Sequence, residues 1–424
     1  MSTARPAHVF TILLVTYAFV SLAPLCSAVG TEQLLYSFSY SGGTNPYGAL
    51  VRDAAGNLYG TTNQDGATGG GTVYELLPNG SGHWGYEALY NFCSLLACAD
   101  GLAPQSGLLL DSSGNLYGTT SMGGDYSDPK CGHGCGVVFE LTNDNGFWTE
   151  TVLYTFTGGS DGAGPLTKLV MDAAGNLYGT TFAGGLRSTY CGDGCGVVFT
   201  LRHGSDGKWT QKVLHAFCSV QQCVDGASPT GLTFDAAGNL YCTTGEVGRY
   251  GGGTLVQLTP HGNDTWTGKL LHSFGKGSDG SLPNPGLAFD ASDNVYGTTN
   301  RGGEFNSGIA FELIAGANGH WTEKVLHSFC SPTSCSEGGQ PLAGLTMGPL
   351  GRLFGTTYVG GIGNLGTVYA LTKSEAGQWN TTAIYSSFSG NLDAPVMFDP
   401  AGNLFSTTRI GGNNNLGSVF EITP

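Results

Sequence analysis

One short phrase, written seven times, limits what this chain can fold into. Leu-Tyr-Gly-Thr-Thr and its close variants stand at residues 58–62, 116–120, 177–181, 240–244, 295–299, 353–357 and 404–408, so successive copies start 51 to 63 residues apart. In the cleanest copy the phrase follows Asp172-Ala173-Ala174-Gly175-Asn176. Asp opens a tight turn because its carboxylate accepts a backbone N–H two residues on, and Gly at the fourth position supplies a backbone angle few residues tolerate. The aromatic and β-branched residues that come next are those of a half-buried strand. A unit of this size cannot bury a core alone and has to stack against its neighbours.

Around each copy four strands are readable. Strand a is an apolar run after a Pro, as at 229–235, and strand b is the phrase itself. Strand c is a Gly followed by alternation, as in Gly71-Thr72-Val73-Tyr74-Glu75-Leu76. Strand d follows a Trp-bearing turn, as in Val213-Leu214-His215-Ala216-Phe217. All six Trp residues (84, 148, 209, 266, 321 and 379) occupy that c-to-d turn, a fixed place that reads as a packing plug. The first repeat material is a lone strand d at 33–38, and the last is a lone strand c at 417–422. Joined, they complete one unit. The expectation is an all-β, seven-bladed β-propeller with four antiparallel strands per blade, closed by the N-terminal strand completing the last blade.

Composition agrees with turns and packing as the organising forces. The chain has 72 Gly and 17 Pro at regular spacing, and only 11% charged residues against a usual share of about 25%. Arg5, an apolar run at 9–22 and the small residues Cys26-Ser27-Ala28 read as a secretory signal at 1–28, leaving 29–424 as a single propeller domain. The mature chain then has no membrane span and is expected to be secreted, extracellular or periplasmic, as a monomer. A net charge of −15 with no Lys/Arg cluster repels a phosphate backbone, which excludes nucleic acid and anionic membranes as partners.

Antiparallel order sorts the loops into two faces: a-to-b and c-to-d turns at one, b-to-c and d-to-a loops at the other. The second face holds everything variable. Its ten cysteines fall in five close pairs, read as local disulfides in an exported chain: Cys93 with Cys98, Cys131 with Cys135, Cys191 with Cys195, Cys218 with Cys223, and Cys330 with Cys335. The rival is a zinc site shared by the Cys-x-x-x-Cys loops of adjacent blades. Cys242 replaces the strand-b Gly and reads as a buried, inert thiol. The d-to-a loops repeat an acid, Asp100, Asp161, Asp225, Asp279 and Glu337, each before a Gly. Such a ring suits cations or sugar hydroxyls, or simply closes turns; the spacing lacks the dense oxygen run of a calcium loop, so no cofactor or metal is assigned. Further binding candidates are Arg249, Tyr250, Arg301, Tyr358 and Arg409. His215, His272 and His327 replace Tyr at one strand-d position and read as structural. No nucleophile elbow, metalloprotease helix or phosphate loop is present.

The recurrent Gly-Asn-Leu-Tyr-Gly-Thr-Thr followed by Gly-Thr-Val-Tyr-Glu-Leu resembles the GloVer-type tandem-repeat family of secreted bacterial proteins. The resemblance covers nearly all of the chain after the leader and brings no catalytic residues with it. The expected function is a secreted, non-catalytic binding or scaffold propeller that recognises an extracellular polysaccharide or protein through the stapled face. An extracellular lyase or glycosidase would place His133, Tyr126, Tyr190 and Arg187 together on that face; a structural envelope or adhesion module is the third reading.

Overall fold

The computed structural model describes residues 30–80, 82–126, 131–262, 265–316 and 319–423; the leader expected at 1–28 lies outside them. The strands form seven antiparallel sheets, a seven-bladed β-propeller, with no α-helix among the described residues. In blade 3 the strands are Val170–Met171 (a), Leu177–Thr181 (b), Val197–His203 (c) and Trp209–Ala216 (d). The ring closes as the two chain ends require. Thr31–Ser37 is strand d of blade 7 and runs antiparallel to its strand c, Ser418–Thr423, with Gln33 opposite Glu421 and Ser37 opposite Ser418. Flanking bonds tie the joint to both neighbours: Gly30 N donates to Ile384 O at 3.0 Å and Asn45 N to Leu416 O at 3.1 Å. The joint keeps strand c of the last blade from being an open edge.

Each letter of the repeated phrase has a physical task. The Leu is fully buried, as at Leu58, Leu177 and Leu404. The Tyr hydroxyl donates to the turn Asp, Tyr178 to Asp172 at 2.9 Å, while Asn176 donates to the same carboxylate from its backbone at 2.9 Å and its side chain at 2.8 Å. The Gly faces an aromatic ring of strand c: Gly179 is opposite Phe199, and a Cβ on it would lie 2.6 Å from the Phe199 Cζ. The first Thr reaches the next blade, Thr298 Oγ1 donating to Ala343 O at 2.8 Å and Thr356 Oγ1 to Ala394 O at 2.9 Å. The second Thr accepts from strand c of its own blade, from Val197 N at Thr181 (3.2 Å) and from Thr367 N at Thr357 (2.9 Å).

Two departures come in matched sets, while in blade 7 Ser406 takes the Gly place opposite a retained ring, Phe420. Cys242 takes the Gly place in blade 4, where the opposing residue is Val256 rather than an aromatic ring. It is buried and unpaired, and burial pushes its thiol far above the usual range, so it is inert. Blade 6 has Gly348 in place of the turn Asp, and its strand-b ring is Phe354, which has no hydroxyl to satisfy. The Trp plugs act between blades. Trp148 packs against Tyr59, Trp266 against Tyr178, Trp321 against Tyr241 and Trp379 against Tyr296, with ring centroids 6.2, 5.9, 6.4 and 5.7 Å apart. Each is an outer-strand ring meeting strand b of the preceding blade in an edge-on arrangement.

Two features differ from the sequence expectation. Strand a is a continuous run only in blade 4, Ala227–Phe234; in blades 1 and 5 it is split in two, as at Gly280–Pro283 and Ala288–Phe289, and elsewhere it shrinks to pairs such as Val170–Met171. Inner strands crowd at the axis, where a Cβ on Gly344 would sit 1.7 Å from Gly286 O, and Leu345 N donates across the seam to that carbonyl at 3.2 Å. The backbone groups are used between blades, and the ladder within the blade stops. Strand d carries a one-residue bulge in every blade, between Val152 and Tyr154 in blade 2 and between Leu34 and Tyr36 at the closure. The extra residue, Leu153 or Leu35, is thereby buried where strict alternation would expose it.

Candidate functional site

All five cysteine pairs form the expected local disulfides. Three staple d-to-a loops: Cys93 to Cys98, Cys218 to Cys223, and Cys330 to Cys335, each closing a sequence separation of 5. Two staple b-to-c loops: Cys131 to Cys135, and Cys191 to Cys195, each closing a separation of 4. The zinc alternative needed the loop of Cys131 and Cys135 to meet the loop of Cys191 and Cys195. The sulfurs that cluster instead are Cys191, Cys195, Cys218 and Cys223, within 4.8 Å of one another, because the b-to-c loop of blade 3 lies beside its own d-to-a loop. Cys131 and Cys135 take no part in that group, so the rival zinc pairing of the two Cys-x-x-x-Cys loops does not come together. Both clustered pairs are closed as disulfides and offer no thiolate to a metal. Cys98 and Cys335 end their staples two residues before the loop acids Asp100 and Glu337, so each disulfide fixes the entry to an acid-bearing turn. Between these staples the loops present apolar and aromatic side chains to solvent, Leu96 94% exposed, Ile362 83%, Phe388 64% and Tyr190 57%.

The loop acids close turns, each with the strand-d residue that precedes it. Asp100 is fully buried and accepts from Tyr90 Oη at 2.9 Å, Ser94 N at 2.8 Å and Ser94 Oγ at 2.9 Å. Asp161 accepts from Tyr154 Oη at 3.0 Å and from Thr157 N and Oγ1 at 2.8 and 2.6 Å. Where His replaces Tyr the pairing persists: His215 to Asp225 at 3.3 Å, His272 to Asp279 at 3.0 Å and His327 to Glu337 at 3.3 Å. Burial lowers His327 despite the Glu337 carboxylate beside it. In the last unit Asp393 pairs with Arg409 at 3.1 Å, and the Arg409 guanidinium lies over Tyr47 at 5.6 Å. Burial pushes Asp393 up to about 6, with Arg409 pulling the other way.

At several seams a third residue joins, and the sequence reading missed it. Four residues before the strand-d His or Tyr, a side chain of the following blade reaches back to the preceding blade's loop. Gln211 Nε2 donates to Asp161 O at 3.2 Å, and Glu32 accepts from Tyr385 Oη at 2.7 Å. Glu150 stands beside Asp100, and burial together with that carboxylate holds it up at about 7. Glu323 stands beside Asp279, and burial together with that carboxylate pushes it up to about 8. His272, Asp279 and Glu323 each bring one ligand-type atom to within 4.8 Å of the others. The only sequence signal is a Glu in strand-d alternation, which looks like an ordinary surface position.

The remaining candidates are spread over the loops. Tyr126 is 41% exposed, and His133 and Arg187 are exposed as well. Arg249 N donates to Ser273 Oγ at 2.7 Å, and Lys276 lies 5.6 Å over the Tyr250 ring. Arg301 is exposed at the strand end opposite Ser281, and Tyr358 O accepts from Asn391 Nδ2 at 3.0 Å. A hollow of about 760 Å³ opens on the other face at the seam of blades 2 and 3, lined by Asp111, Tyr117, Glu140, Asp172, His203 and Trp209. There Trp209 meets His203, with centroids 5.3 Å apart.

Seven sheets locked by the protein's own first strand define a β-propeller built from tandem repeats. The chain belongs to the Gloeobacter/Verrucomicrobia repeat family, whose model matches residues 21–233 and again 228–424. No curated protein matches in sequence. Among solved structures, the extracellular domain of a one-component system of B. thetaiotaomicron aligns over 94% of this chain at 12% identity and a TM-score of 0.54. This chain spans 42% of that one's length. An oxidoreductase of the glucose dehydrogenase type from Thermus thermophilus aligns over 93% of this chain and 99% of its own, at 15% identity and a TM-score of 0.43. The PorZ surface component of the Porphyromonas gingivalis type-IX secretion system aligns over 82% of this chain and 43% of its own, at 12% identity and a TM-score of 0.45. At these identities the likeness is one of fold.

Proposed function

We propose that the protein is a secreted, non-catalytic binding or scaffold module, a monomer over 29–424, that recognises an extracellular polysaccharide or protein with its stapled face. The observation that carries this reading is the set of exposed loop residues, Tyr126, Tyr190, Ile362 and Phe388 among them, standing on a face whose loops are held by five disulfides. Rigid loops bearing aromatic side chains lose little entropy on binding, and an apolar body with a polar tip suits sugar rings and protein surfaces alike. Disulfides of this kind persist in oxidising compartments, which supports export. Family membership supports the same class without naming a ligand.

The test is a glycan array and an extracellular-protein array probed with the non-reduced protein, with product analysis of every hit. Binding that falls at least about tenfold in the double variant Y126A, Y190A or in F388A, and is unchanged by F147A on the opposite face, is the expected result. Ligand turnover, or binding that F147A alone abolishes, overturns it.

A further inference from the structure

Three seams give their loop acid a hydroxyl and an N–H from its own loop, as Ser94 does for Asp100, and the seam of blades 4 and 5 does not. At the seam of blades 2 and 3, Asp161 has the hydroxyl and N–H of Thr157. At blades 3 and 4, Asp225 has the hydroxyl and N–H of Ser219 at 2.8 and 3.0 Å, and the reaching-back position is Gly268, which brings no ligand atom. At blades 4 and 5 the loop starts with Gly275 in the place of Thr157, so no hydroxyl is supplied. The Asp279 side chain is only 7% exposed, and its Oδ1 has no hydrogen-bond partner. The reaching-back residue is here a second carboxylate, Glu323, whose buried Oε1 also has no partner. Two acids with unpartnered buried oxygens and an imidazole thus converge. Such an arrangement is strongly unfavourable unless a cation or a proton sits between the groups.

We infer that the seam of blades 4 and 5 is a divalent transition-metal site, with His272 Nε2, Asp279 and Glu323 as ligands and Zn²⁺ as the type ion. One nitrogen and two carboxylate oxygens are a borderline donor set, and three protein groups are too few for calcium, which takes about six to eight oxygens. Metal–ligand bonds of about 2.0–2.2 Å put ligand atoms roughly 3.3–3.6 Å apart. His272 Nε2 and Asp279 Oδ2 are 3.0 Å apart, and the three atoms lie within 4.8 Å, so side-chain shifts on the order of 1 Å form the site. His272 keeps 19% of its side chain exposed, which leaves an entry from the rim and a position for water or an outside ligand. Binding there bridges strand d of one blade to strand d of the next.

The experiment is titration of the tag-free, non-reduced protein with Zn²⁺ by calorimetry and with Co²⁺ by absorption, alongside thermal unfolding. The expected result is about one ion per chain, a Co²⁺ spectrum without thiolate charge-transfer bands, and a metal-dependent rise in Tm. E323Q and D279N each weaken binding at least about tenfold, whereas H215Q at the neighbouring seam leaves it unchanged. Should either amide variant fail to fold, H272Q supplies the same loss. Absence of saturable binding up to about 1 mM ion, full binding retained in E323Q or H272Q, or thiolate bands pointing to the cysteine loops would overturn the site.

Discussion

The Gly of the repeated phrase is there because a ring occupies its Cβ position, and the chain contains the compensating case that makes this testable. A Cβ on Gly179 falls 2.6 Å from Phe199 Cζ and 2.8 Å from Leu169 Cδ2, and Phe199 is fully buried. G179A therefore overpacks the blade and is expected to cost about 1–3 kcal/mol. F199V removes most of a buried ring and is expected to cost about 2–4 kcal/mol. Blade 4 shows the combination that fits: Cys242 stands opposite Val256 with Leu232 in the place of Leu169. In the F199V background the Ala methyl consequently has room. Gly179 is not among the glycines with positive φ, so Ala fits its backbone and restricts the unfolded chain, a gain of about 0.4–1 kcal/mol. The effect of G179A should change sign between the two backgrounds, a coupling of at least about 1.5 kcal/mol. Urea unfolding of the non-reduced proteins, followed by fluorescence of the seam Trp residues, measures all four corners of the cycle. Equal costs of G179A in both backgrounds, within about 0.5 kcal/mol, would refute steric matching as the reason for the Gly.

Three further outcomes are expected. Glu150 is held at about 7 against an ordinary 4.5, so the folded state holds this proton more tightly; stability is full below about pH 4.5 and falls as pH rises through 7. E150Q should then be more stable than the parent at pH 8 by about 1–2 kcal/mol, after discounting for partial exposure, and should lose that advantage at about pH 4 in paired thermal melts. Asp172 has the opposite sign: burial works against its charge, but bonds from Asn176, Tyr178 and Ala174 outweigh it and hold its carboxyl low. D172A should cost roughly 1 kcal/mol or more at pH 7 in urea unfolding, with the cost shrinking as the parent carboxylate protonates below about pH 4. Removing residues 30–38 strips strand d from blade 7 and exposes strand c, so the truncated chain should melt without a single cooperative transition and aggregate; an unchanged melting curve would mean the ring is held by other contacts.

Much of the fold was legible because each requirement is local. Leu, Tyr, Gly, Thr and Thr each answer to a neighbour in the same blade or the next at a fixed offset, so seven repeats announce seven blades, and the unmatched strands at 31–37 and 418–423 announce the joint. Cysteine spacing likewise named all five disulfides, since Cys98, Cys135 or Cys335 has one partner four or five residues back and no other cysteine as near in sequence. The strand-d bulge was hidden, although the doubled apolar residues Val152-Leu153 or Val213-Leu214 were its trace, because alternation is read along one strand while a bulge is defined by the strand opposite. The seam chemistry was hidden more deeply. Asp279 and Glu323 belong to different blades, 44 residues apart, and neither spacing nor composition marks them as neighbours. Local interactions of the chain with itself decided the number and kind of blades; the docking of one blade's outer strand on the next decided which carboxylates share a buried space. Their protonation depends on that space, because burial and a second charge act through distance in three dimensions and leave no period in the sequence.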